Sequence, residues 1–237
     1  MKKLSVVFGS VAIIIFFGSC RKVIGEGPSF TENRTVANFS SVASAISADV
    51  FYKQDPVYKV EITAQQNILN IIETNVVNDE LVIKFRNNVS VRSHENIVVN
   101  ISSPVVKGLK ISGSGNFIVP DSIHSDNMNL TLSGSGNMSL HKLEAASIDV
   151  NISGSGNITV SDGTTNTAKL RISGSGDIEV IKVAAASVTT TTSGSGEMHV
   201  NASEKLDVTI SGSGSVFYTG NPIINTHISG SGKVLHQ

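Results

Sequence analysis

Val150-Asn-Ile-Ser-Gly-Ser-Gly-Asn-Ile-Thr-Val160 decides the fold of this chain. Val150, Ile152, Gly154, Gly156, Ile158 and Val160 share one parity, while Asn151, Ser153, Ser155, Asn157 and Thr159 share the other. Such period-two alternation is the mark of a strand with one face in a core and one in water. Both glycines fall on the inward parity. Glycine inside a strand pattern marks a bend or a close backbone approach, so Gly-Ser-Gly reads as a corner between two short strands.

The Ser-Gly-Ser-Gly tetrapeptide recurs from Ser112, Ser133, Ser153, Ser173, Ser193, Ser211 and Ser229, at spacings of 21, 20, 20, 20, 18 and 18 residues. Its apolar flanks recur too, as Leu109/Ile111/Phe117/Val119, Leu130/Leu132/Met138/Leu140, Leu170/Ile172/Ile178/Val180 and Val208/Ile210/Val216/Tyr218. A repeat of this length indicates a solenoid in which each residue sits above its counterpart. An antiparallel meander would run successive motifs in opposite directions and break that stacking. The expected fold is therefore all-β, a three-sided parallel β-helix with 18–21 residues per coil. Seven coils at the inter-strand spacing give a rod segment roughly 34 Å long.

Upstream of the repeats, residues 36–108 continue in the same style and are expected to form the first coils and an irregular cap. Ala45-Ile-Ser-Ala-Asp-Val-Phe-Tyr52 looks like a degenerate copy of the motif. Strands are expected over Val57–Thr63, Leu81–Arg86 and Ile97–Ser102, with a turn at Asn78-Asp79. Ile68–Ile72 fits a brief helix or another strand. No composition break divides residues 36–237.

The first twenty residues carry Lys2 and Lys3, an apolar stretch from Leu4 to Phe17, and then Gly18-Ser19-Cys20. This is a secretory signal, too short to span a membrane. Cys20 is the only cysteine, so it forms no internal disulfide. Phe17-Gly18-Ser19-Cys20 resembles a lipobox, with Phe in place of the usual Leu. That resemblance implies a signal peptide over 1–19, an acylated Cys20 and anchoring in the bacterial envelope, since two or more acyl chains hold a protein stably on a membrane. Residues 20–35, with Gly25, Gly27 and Pro28, are expected to be a tether, ten flexible residues of which would span roughly 17 Å. Arg21-Lys22 follows the cysteine where some surface-exported lipoproteins carry acidic residues, which favours a periplasm-facing outer-membrane anchor over the cell surface.

Asp49-Val-Phe-Tyr-Lys-Gln, Val60-Glu-Ile-Thr-Ala-Gln-Gln-Asn-Ile-Leu, Leu81-Val-Ile and the Ile-Ser-Gly-Ser-Gly-Asn repeats together resemble the head-GIN domain family of proposed autotransporter adhesins, over about Val36 to Gly232. The resemblance implies export, commonly as a lipoprotein, a right-handed parallel β-helix similar to pectate lyases, and adhesion without an assigned catalytic activity.

A formal net charge of −1 with only 16% charged residues speaks against a nucleic-acid or polyacidic partner. The residue after each tetrapeptide forms an expected outward ladder of Asn116, Asn137, Asn157, Asp177, Glu197, Ser215 and Lys233. Asparagine ladders stabilise stacked strands; the same strip, flanked by the serine ladders, would suit the hydroxyls of a glycan or cell wall, or another envelope protein. Asp177 should lie over Glu197, and Glu179 over His199. Stacked carboxylates about 5 Å apart repel, and such a cluster could share a proton, bind calcium or act as the paired acids of a polysaccharide lyase or hydrolase. The remaining histidines show no zinc-like spacing, no helix start follows the glycines to cradle a phosphate, and no nucleophile elbow occurs. No cofactor is implied. Aromatic residues number 12 without tryptophan, and Phe51, Tyr52, Tyr58, Phe217 and Tyr218 are the candidates for stacking on sugars, most of them expected to serve the core.

Overall fold

A computed structural model describes residues 21–237, so Cys20 and the signal segment lie outside the described residues. The chain forms a parallel β-solenoid of about six turns. Its first part contains β1 (Arg21–Ile24), β2 (Ser29–Asn33), β3 (Ser41–Ser44), β4 (Asp49–Gln54) and β5 (Lys59–Gln65). The short helix α1 (Gln66–Leu69) follows, then β6 (Ile72–Val77), β7 (Glu80–Phe85), β8 (Val89–Ser93) and β9 (Val98–Ser103). The repeats supply β10 (Gly108–Gly113), β11 (Asn116–Gly134), β12 (Asn137–Gly154), β13 (Asn157–Val160) and β14 (Gly163–Gly174). They end with β15 (Ile178–Gly194), β16 (Glu197–Gly212), β17 (Ser215–Thr219), β18 (Ile223–Gly230) and β19 (Lys233–His236).

The seven tetrapeptides stack in register, Ser112 beside Ser133, Ser153, Ser173, Ser193, Ser211 and Ser229 in turn. Successive coils pair in three stretches, as in Asn116–Val119, Ser122–Ser125 and Asn127–Gly134 of β11 against β12. These stretches are the three sides. The change of period to 18 residues is absorbed away from the tetrapeptide, in register shifts between Glu179 and Ala184 and between Ala185 and Ser187.

Each glycine of the corner has its own physical task. Gly154 sits at φ +135°, a region that residues with a Cβ avoid. Its carbonyl accepts two backbone N–H groups from the next coil, Ser175 at 2.9 Å and Gly176 at 3.2 Å. Gly156 is buried, and a Cβ there would collide with the carbonyl oxygen of Gly136 in the coil below. The close approach that makes the corner bond thus excludes every other residue type.

Inside, apolar columns run the length of the rod, such as Ile111, Leu132, Ile152, Ile172, Thr192 and Ile210. The fifth repeat interrupts two of them, because Thr190 and Thr192 occupy inward positions at 0% exposure and neither hydroxyl has a partner among the described residues. Tyr52 is also internal; its hydroxyl shares a 2.8 Å hydrogen bond with Ser103 Oγ, and burial pushes its pKa up to about 12.

The first part departs from simple coiling. The degenerate copy stacks as the motif's pattern requires, β3 against β10 and β4 against β11, with Asp49 under Asn116. Beyond it the pairing turns antiparallel, in β9–β5, β5–β2 and the β6–β7 hairpin. Asn78 and Asp79, both at positive φ, make the expected turn of that hairpin, and Ile68–Ile72 resolves into the end of α1 and the start of β6.

Residues 21–33, expected as a tether, are a correction: they hold two strands, β1 parallel to β8 and β2 antiparallel to β5. The backbone bonds offered by two unpaired strand edges outweigh the flexibility that Gly25, Gly27 and Pro28 suggest locally.

Thr190→Val and Thr192→Val, which remove buried unpaired hydroxyls at nearly constant shape, are each expected to raise unfolding free energy by about 1 kcal/mol in denaturant titration. Ile152→Asp, at 3% exposure, is expected to cost several kcal/mol, whereas Ser153→Asp on the exposed parity stays near neutral. Equal losses at 152 and 153 would contradict the parity.

Candidate functional site

The candidate surface is the outward face of the first side, the stretch that follows each tetrapeptide. Here strand pairing brings the sequence-derived site residues onto one face, Asn116 beside Asn137 beside Asn157, and Glu179 beside His199. The ladder begins one rung earlier than the repeats, at Asp49. Asn116 Nδ2 donates to Asp49 Oδ1 at 2.8 Å, Asn96 Nδ2 donates to Asp49 Oδ2 at 2.8 Å, and Asn137 Nδ2 donates to Asn116 Oδ1 at 3.4 Å. The degenerate copy at Ala45–Tyr52 carries the signal for this rung, since Asp49 follows its corner as Asn116 follows the first tetrapeptide.

Higher up, the side-chain oxygens turn to the backbone. Asn157 Oδ1 accepts the N–H of Asp177 at 3.0 Å, and Asp177 Oδ1 accepts the N–H of Glu197 at 2.8 Å. Asp177 thus lies beside Glu197 in the register, and one of its carboxylate oxygens is taken up by a backbone donor. Glu197 and Glu179 each place a carboxylate oxygen 3.8 Å from a ring nitrogen of His199, and that ring stacks on Phe217 at 4.6 Å and 13°. Among the described residues no group of three or more His, Cys, Asp or Glu is placed to hold a metal ion.

At the start of this face lies a hollow of about 440 Å³ that sequence reasoning did not assemble. Its lining includes Phe51 from β4, Asn100 and Ser102 from β9, Lys59 and Glu61 from β5, and Pro120 and Asp121 from the corner that follows the first stretch of β11. Phe51, Asn100 and Glu61 lie side by side across the three strands. Lys59 Nζ meets Glu61 Oε2 at 2.9 Å, and this hydrogen bond holds the Glu61 carboxyl below its ordinary range. Of these residues only Phe51 stood out in sequence, as an aromatic; the others converge because β5 runs antiparallel to β9.

Further concavities lie off this face. One of about 700 Å³ includes Gln54, His124, Asp126 and Glu144, with His124 Nε2 and Lys142 Nζ both 2.7 Å from the Glu144 carboxylate. A trough of about 330 Å³ runs along the serine ladder past Asn151, Ser153, Arg171 and Ser173. Arg171 Nη1 there meets Asp149 Oδ1 at 3.0 Å. Neither Asp177 nor Glu197 lines any of these three spaces.

The family model described as "Putative auto-transporter adhesin, head GIN domain" matches residues 38–222. Among solved structures, a "putative adhesin" from Bacteroides fragilis superposes with a TM-score of 0.85 at 24% identity, over 91% of this chain and 100% of that one. A "putative adhesin" from Parabacteroides distasonis gives 0.75 at 26% identity, over 91% of this chain and 100% of that one. A "Putative lipid binding protein" from Parabacteroides distasonis gives 0.77 at 26%, over 92% of this chain and 100% of that one. No curated protein matches the chain.

Asp177→Ala strips the Glu197 N–H of its acceptor and is expected to lower stability by about 1 kcal/mol, while Asp177→Asn keeps an acceptor oxygen and stays near wild type. Thermal melts of the two variants check the pair. A loss in Asp177→Asn as large as in Asp177→Ala would mean that charge, not the backbone bond, matters here.

Proposed function

The chain belongs to the head-GIN domain family of auto-transporter adhesin type, and on that premise we propose that it is a non-enzymatic binding module of the bacterial cell envelope that holds an extended glycan along its first side. The hollow around Phe51 carries this reading. A half-buried aromatic ring offers a stacking surface for the apolar face of a sugar, and Asn100, Ser102, Lys59, Glu61 and Asp121 surround it with donors and acceptors for hydroxyls. The in-register ladder from Asp49 upward continues the same face with hydrogen-bonding groups at strand spacing. A repeating polymer meets a repeating surface.

The lipobox-like Phe17-Gly18-Ser19-Cys20 supports acylation of Cys20 and anchoring in the envelope, and Arg21-Lys22 after it supports an anchor facing the periplasm. The membrane is then one partner, through lipid, and an envelope glycan the other.

A glycan and cell-wall array probed with the Cys20→Ser protein is expected to show binding that Phe51→Ala reduces by tenfold or more, about 1.4 kcal/mol, with the melting temperature unchanged. Binding indifferent to Phe51 would remove the hollow from the reading. In cells, Cys20→Ser is expected to abolish incorporation of labelled palmitate and to release the body from membranes.

A further inference from the structure

β1 begins at Arg21, one residue past Cys20, and the segment after it has little slack. Arg21, Lys22 and Val23 pair in parallel with Val89, Ser90 and Val91, and Gly25 N–H donates to Ser93 O at 2.7 Å. Asn67 of α1 grips both sides of the following bend, donating to Ile24 O at 2.7 Å and accepting the Glu26 N–H at 3.1 Å. Gln65 Nε2 donates to Gly27 O at 3.0 Å, and from Ser29 onward β2 is paired with β5. Consecutive Cα atoms are about 3.8 Å apart. A lipid on Cys20 therefore places the start of β1 at the bilayer surface, not at the end of a long tether.

This same end of the solenoid carries the large exposed apolar side chains Ile24 at 54% and Phe30 at 49%, with Val77 at 55% on the terminal strand β6. Phe30 lies opposite the fully buried Ala64, on the core-facing side of β2. It is exposed because β2 is the last strand of its sheet and the core ends beneath it. Charged residues at this end are mixed in sign, Arg21, Lys22 and Arg92 with Glu26 and Glu95, so apolar contact would add to a slight cationic excess in docking.

We propose that the N-terminal cap, built from β1, β8, α1 and β2, docks directly on the phospholipid surface, with Ile24 and Phe30 in the headgroup–acyl boundary. The inference rests on acylation of Cys20 and adds to it: the lipid fixes the orientation of the rod as well as its location. The C-terminal coil, which also exposes Ile223 at 75%, Ile228 at 41% and Leu235 at 40%, is held away from the membrane by the position of the anchor and not by a lack of apolar side chains. The first-side face would then stand up from the bilayer with the Phe51 hollow at its membrane-proximal end.

Because Cys20 is the only cysteine and acylation consumes its thiol, a cysteine added elsewhere takes a label uniquely. The full lipidated protein, carrying Ile24→Cys, Phe30→Cys or Leu235→Cys with a nitrobenzoxadiazole label, is reconstituted into phosphatidylethanolamine/phosphatidylglycerol vesicles. Labels at 24 and 30 are expected to shift to the blue and to be quenched several-fold more than the label at 235 by a doxyl group on the lipid chains. Equal, water-like emission from all three positions in protein that floats with the vesicles would overturn docking while leaving the anchor intact. Shielding at 24 and 30 without lipid-borne quenching would mean that a second protein copy covers the cap, and overturns it as well. Failure to float, with no palmitate on Cys20, would remove the anchor and the proposal together.

Discussion

The structure depends on one contact, the approach of the backbone of one coil to the corner carbonyl of the coil below. At Gly154 a positive φ turns the carbonyl so that it accepts two N–H groups from Ser175 and Gly176. At Gly156 the missing side chain lets the chain pass over the Gly136 carbonyl. Once this corner is fixed, successive coils share a register, and register decides everything lateral. It stacks Ile111, Leu132, Ile152 and Ile172 inside and the Asn and Ser columns outside. The same constraint explains why the change to an 18-residue period is taken up at another corner.

A repetitive rod gains its individuality where the repetition fails. Thr190 and Thr192 weaken the core without altering the register. Asp177 replaces an amide but keeps an acceptor where the backbone needs one. The largest failure is at the N-terminal part, where antiparallel strands close the end of the stack and bring Lys59, Glu61 and Asn100 beside Phe51. The face of the repeats is regular, the hollow at its base is singular, and a ligand that uses both is read by a pattern and a pocket together.

The sequence made the repeats legible because each signal there is local. Parity separates Ile152 from Ser153, the tetrapeptide marks the corner, and Asn78-Asp79 announces its turn through residues that tolerate positive φ. The degenerate copy was legible for the same reason, and with it Asp49 could be aligned under Asn116. Arg21–Ile24 was not: four residues beside glycines and a proline carry no sign of a partner strand at Val89–Ser93. The direction of the Asp177 carboxylate was equally hidden, because counting residues places it next to Glu197 but not toward the Glu197 N–H.

Sequence alone thus determined that this chain coils, at what period, with which residues inward and which in ladders, because stacking couples each residue to a near-copy of itself about 20 positions away. Tertiary structure alone decided how the first end is closed, which residues make the hollow, and that residues 21–33 are bound to the body. Those outcomes rest on pairings between unlike segments far apart in the chain. They are chosen by whichever unsatisfied strand edges remain when the coils have formed, and no local pattern records that choice.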